Sequence, residues 1–101
     1  MGCSIVADGI VTFGVLTPWS DIRSVVLARE PAVVVGDTTV SVAYWQVAVE
    51  LVTADFIEIP ENSPSWLHVV EKLPLHLPLL VDDIAARIAA DGTEDVVLWR
   101  P

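Results

Sequence analysis

Few side chains in this 101-residue chain are placed to do chemistry. His68 and His76 stand eight residues apart, with Pro74 between them and no cysteine near either. A zinc site needs three or four converging ligands, and this spacing supplies two. Two surface histidines around a helix end is the reading that follows. The one cysteine, Cys3, excludes an intramolecular disulfide and reads as a small apolar side chain opening a strand. Glu58 and Glu61 bracket Ile59-Pro60, but that spacing sets no distance between carboxylates and defines no hydrolase pair. Asp82 and Asp83 suit a helix N-terminus, where negative charge complements the macrodipole. Asp91, Glu94 and Asp95 lack the regular spacing of a calcium loop. No glycine-rich phosphate loop, nucleophile elbow or zinc-protease motif occurs. The expectation is a protein that is not an enzyme and uses no cofactor or metal.

Recognition is the chemistry left. Fourteen acidic residues against five basic ones give a net charge of −9. Such a field repels phosphate backbones, so nucleic acid is not an expected partner, whereas a basic protein is. The chain is also 53% hydrophobic, so part of that charge keeps an apolar surface dispersed. Uncharged runs reach only twelve residues, as from Thr38 to Val49. A spanning helix needs about 20, so no membrane partner is expected. No basic stretch precedes an apolar run at the start, and Val6 stands where a myristoylation signal wants Ser or Thr. A cytoplasmic location suits these features.

The elements that would position a binding surface follow from periodicity. Ser4–Ala7 and Ile10–Leu16 flank Asp8-Gly9, a hairpin signal. Gly14 reads as a bulge or a close approach. Thr17-Pro18 turns the chain, and Ile22–Ala28 is a strand closed by Arg29-Glu30-Pro31. Strands at Ala32–Val35 and from Thr39 onward meet at Gly36-Asp37. From Val40 to Val52 the alternation changes phase: Val40, Val42 and Tyr44 are even, whereas Trp45, Val47, Val49 and Leu51 are odd. Such a parity change implies a bulge or a sharp bend near Tyr44-Trp45, devices that strongly curved sheets use at corners. One of these two neighbouring rings is then expected at the surface. Phe56–Ile59 is a further strand ended by Pro60.

The pattern then becomes helical. Ser63 and Pro64 suit an N-cap and first helical position, and Pro74 marks the end. Trp66, Val70 and Leu73 form the apolar stripe, with His68, Glu71 and Lys72 on the other side. A second helix spans Asp82–Ala90, with Ile84 and Ile88 inward, Asp83 and Arg87 one turn apart, and Gly92 closing it. Val96–Trp99 is the last strand. Trp66, Val70, Leu73, Ile84 and Ile88 are the expected core of the helical layer. Strands followed by helices, without a βαβ rhythm, give a single α+β domain over residues 1–101 with a mainly antiparallel sheet.

Three segments together resemble a known group. They are Val6-Ala7-Asp8-Gly9-Ile10, Pro18-Trp19-Ser20-Asp21-Ile22, and Phe56-Ile57-Glu58-Ile59-Pro60-Glu61 leading to Trp66 and Leu73. They are similar to small, functionally uncharacterised bacterial proteins with a PH-like curved antiparallel sheet. Leu77-Pro78 and the terminal Trp99-Arg100 fit the same pattern. The resemblance implies a partial barrel followed by helix. Pro74, the second helix and the last strand depart from an ordinary PH domain, and the basic loop residues of lipid-binding PH domains are absent.

The resulting expectation is a non-enzymatic protein-binding module whose interface draws on Tyr44, Trp45, Glu58 and Glu61. An immunity protein neutralising a basic toxin such as a nuclease is the alternative, and a small enzyme is the third. A homodimer is expected through an uncovered edge of the Val40–Val52 strand, the alternative being that Val96–Trp99 pairs with that edge and seals it within one chain.

Overall fold

The computed structural model describes residues 2–80, 83–89 and 94–101. Its strands are β1 (Cys3–Val6), β2 (Gly9–Thr12), β3 (Val15–Pro18), β4 (Ile22–Glu30), β5 (Val33–Val35), β6 (Thr38–Ser41), β7 (Tyr44–Leu51), β8 (Phe56–Pro60) and β9 (Val96–Trp99). Helix α1 (Trp66–His76) and helix α2 (Ile84–Ala89) lie between β8 and β9, and a 3₁₀ turn at Trp19–Asp21 leads into β4. Every strand pairing among the described residues is antiparallel, so the class is α+β as expected. The strands form three sheets, ordered β1-β2-β3, β8-β7-β4-β9 and β5-β6, and these do not close into a barrel.

The turns are set by glycines, with small shifts from the sequence reading. Val6 pairs with Gly9, so the first turn is Ala7-Asp8 and Gly9 already belongs to β2. A Cβ at Gly9 would collide with the Thr17 carbonyl oxygen, because β3 passes directly beside it. The run Ile10–Leu16 is not one strand: it folds back at Phe13-Gly14. Both residues have positive φ, +51° and +77°, the signature of a primed hairpin turn. Gly14 is therefore a turn residue, with open space around it rather than a close neighbour.

The phase change near Tyr44 is a break between strands. β6 ends at Ser41 and β7 begins at Tyr44, and the two belong to different sheets. Within β7 the odd residues Trp45, Val47 and Val49 are buried, as their alternation predicts. They join Val25 and Leu27 of β4, Leu98 of β9, Ile5 and Ile10 of the first sheet, and the helices in one core.

Helix α1 differs from expectation at both ends and in its stripe. It starts at Trp66 and runs through Pro74 to His76. Proline lacks the N–H that would bond one turn back, but near a helix end only the last turn is affected. That turn is closed by the Leu77 N–H, which donates to the Leu73 carbonyl at 3.1 Å. The buried face is Val69 and Leu73, while Trp66 and Val70 are half-buried at the core margin. In α2, Ile84 is buried and Ile88 half-buried. The Asp83 carboxylate accepts the Ala86 N–H at 3.2 Å, which caps that helix. Asp82, Ala90, Asp91 and Gly92 lie outside the described residues.

Helix α1 also seals a sheet edge. The Cys3 N–H donates to Ser65 Oγ at 2.7 Å, and the Ile5 N–H donates to His68 Nε2 at 3.0 Å. Donors two residues apart on β1 thus meet acceptors three residues apart at the start of α1. An edge strand presents a row of unpaired groups, and here side chains cap two of them. His68 is therefore a structural acceptor, not a free surface histidine.

Candidate functional site

The four-stranded sheet packs one face on the core and turns the other toward solvent, with Ala28 and Gln46 at the centre of that face buried among their neighbours. Directly opposed residues of an antiparallel pair share a face. On the open face β4 and β7 match Ser24 with Glu50, Val26 with Ala48, Ala28 with Gln46, and Glu30 with Tyr44. β8 adds Phe56 beside Glu50, Glu58 beside Ala48, and Pro60 beside Gln46. The result is a shallow trough of about 320 Å³, floored by Val26, Ala28 and Ala48 and bounded by Glu30, Gln46, Phe56, Glu58 and Asp95. The floor side chains are small, which is why the surface is concave.

The trough is acidic. Glu30, Glu58 and Asp95 border it, Glu50 stands beside Phe56 on the same face, and none of the strand residues in register on this face is basic. Several acceptors are already oriented. Gln46 Nε2 donates to Glu30 Oε1 at 3.0 Å, and Ser24 Oγ donates to Glu50 Oε1 at 3.4 Å. Asp95 Oδ1 accepts the Arg29 N–H at 2.9 Å, which ties the start of β9 to the end of β4. A carboxylate has about four acceptor sites, so each can still receive a cation. Of the β4 cations, Arg29 has the opposite parity and lies over the Trp45 ring at 5.1 Å, and Arg23 falls at the register shift between Ile22 and Ser24.

The four expected interface residues therefore divide. Tyr44 and Glu58 stand on the open face. Trp45 is 3% exposed and belongs to the core, so of the two neighbouring rings it is Tyr44 that reaches the surface side. Glu61 is a fastening: its Oε1 accepts the Trp45 N–H at 2.9 Å, and its own N–H donates to the Trp45 carbonyl at 2.9 Å. The sequence reading missed Glu30, Glu50 and Asp95. Glu50 was legible as an even position on a strand whose odd positions are apolar; Glu30 was less so, because the odd positions of β4 mix Val25 and Leu27 with Arg23 and Arg29. Asp95 reaches the trough only through the pairing of β9 with β4.

A second cleft, of about 310 Å³, separates the first sheet from β8 and is lined by Cys3, Phe13, Phe56, Glu58, Ser63 and Ser65 among others. Two of its hydroxyl or thiol side chains have assigned surroundings. Ser65 Oγ holds the Cys3 N–H. Burial pushes the Cys3 thiol above the ordinary thiol range, which disfavours the reactive thiolate. The remaining aromatics are structural. Trp19 donates its indole N–H to the Ala7 carbonyl at 2.8 Å and stacks on His76 at 6.2 Å between ring centroids. Among the described residues no three His, Cys, Asp or Glu side chains group as a metal site. No described helix is long and apolar enough to cross a membrane. No family model, curated protein or solved structure matches the chain.

Proposed function

We propose that this chain is a non-enzymatic binding module that receives a basic segment of a protein partner on the open face of its four-stranded sheet. The supporting observation is the trough itself: three carboxylates around a floor of small apolar side chains, with a fourth, Glu50, on the same face and no basic residue in register. Lysine or arginine stems would lie along Val26, Ala28 and Ala48, and their charged heads would reach Glu30, Glu58 and Asp95. Tyr44 and Phe56 flank the floor and add apolar area that excludes water. A reduced cytoplasm suits the single free thiol.

The test is titration of the isotope-labelled chain with a short Lys/Arg-rich peptide at physiological salt, followed by NMR. Amide shifts should concentrate on β4, β7 and β8 around the trough. Glu58→Lys with Glu30→Lys should weaken binding by at least about tenfold, because like charges then face each other. Shifts spread evenly over all acidic surfaces, or binding indifferent to both reversals, would refute the reading. An immunity protein for a basic toxin uses the same face and the same −9 charge. It differs in outcome: the captured partner is an enzyme, and its activity stops on binding.

A further inference from the structure

Among the described residues the β5–β6 ribbon is the least covered segment. All twelve residues from Pro31 to Val42 are exposed in succession. Val33, Val34, Val35, Val40 and Val42 each stay between 50% and 72% exposed. Three consecutive valines on β5 put apolar side chains on both faces, so no single face can be the wet one. The ribbon hydrogen-bonds as a sheet of two strands, so each strand has a free edge. An isolated two-stranded ribbon is marginal in water. The dimensions, 46 × 28 × 24 Å with a radius of gyration of 14.1 Å, exceed the roughly 13 Å of a compact 100-residue domain and fit a projecting arm.

We infer that the ribbon is a self-association arm, packed in solution against the ribbon of a second copy across a two-fold axis. Charge selects this occupant. The chain carries −9 overall, yet from Pro31 to Val42 the one charged residue is Asp37, at the turn. Two copies repel through most of their surface and can meet here without opposed carboxylates. A basic partner finds a single countercharge on the ribbon, Asp37 at its turn, and is better served by the trough. Valine faces and strand edges are self-complementary, so each copy carries what the other needs, as a two-fold interface requires. Area sets the strength. A standard interface engages roughly 20–30 residues a side, and the ribbon offers twelve. The dimer is therefore a weak one that dissociates on dilution.

Light scattering or sedimentation of the full chain tests this over roughly 1–300 μM, where an interface of this size separates. The mass should rise from one chain toward two. Val34→Glu and Val40→Glu should each weaken association by at least about tenfold, with an unchanged circular dichroism spectrum because both sites are exposed. Should either glutamate variant lose its sheet signal, Val34→Thr and Val40→Thr keep the β-branched shape and should weaken association in the same direction. Glu58→Lys, which strikes the trough, should leave the mass profile as it was. A single-chain mass at every concentration would overturn the inference. So would a dimer indifferent to all ribbon variants, or growth beyond two copies.

Discussion

β6 and β7 are separated by two residues, and both contain the β-branched and apolar side chains that favour strands. Their fates are opposite. β7 lies between β4 and β8, and its odd face is the centre of the core. β6 has one neighbour, β5, and every residue of the pair is exposed. Strand propensity is alike in the two; hydrogen-bonded neighbours and a layer to pack against are not. Burial is thus a property of where a strand is placed, and the break at Val42-Ala43 makes that placement. The same break corrects the expected dimer edge. The β7 half of Val40–Val52 is sealed on both sides by β4 and β8, not by β9, which pairs with β4. The open half is in the ribbon.

The comparison breaks first at its centre. Trp45→Ala should cost about 3–5 kcal/mol in urea unfolding, as truncation of a buried aromatic does. Val40→Ala should stay within about 0.5 kcal/mol, as at exposed sites. Similar losses at the two positions would mean that the ribbon is buried in solution by more than a weak contact.

A second contrast sets the capped edge of β1 against the bare edges of the ribbon. His68→Leu removes the acceptor for the Ile5 N–H and should cost about 1–3 kcal/mol. Hydrogen exchange at Ile5 should accelerate, while exchange in the ribbon stays as it was. Unchanged protection at Ile5 would show that the edge is held by packing alone.

The smallest effects lie in the turns. Phe13 and Gly36 both occupy left-handed backbone, at φ of +51° and +61°, which suits glycine and strains phenylalanine. Phe13→Asn should stabilise by up to about 1 kcal/mol, since asparagine tolerates this region and the ring is 75% exposed. Gly36→Ala should destabilise by about 1 kcal/mol. Thermal unfolding of the two variants separates the signs, and a shift in the same direction for both would contradict the turn assignment.

Much of the candidate site could be read in advance because a strand has period two. Glu58 and Tyr44 were named from sequence and stand on the open face. Trp45 was not separable from Tyr44, because deciding which ring turns inward requires knowing where the strand begins. Glu61 looked like a free carboxylate; its bond to the Trp45 N–H arises only when β8 lies beside β7. His68 was assigned to the polar side of α1 by helical spacing. Its partner is 63 residues away in sequence, beyond the reach of any local pattern.

Residue order alone determined the class, the antiparallel character, the Gly36-Asp37 turn and the inward parity of β7. These rest on local sterics and on alternation, which act over a few residues. Tertiary structure alone decided the division into three sheets, the meeting of Asp95 with Glu30 and Glu58, the seal on β1 and the exposure of the ribbon. Each depends on which distant segments become neighbours. The free energy that selects those neighbours is the burial of one shared core, to which β3 and the ribbon alone among the described elements contribute no side chain.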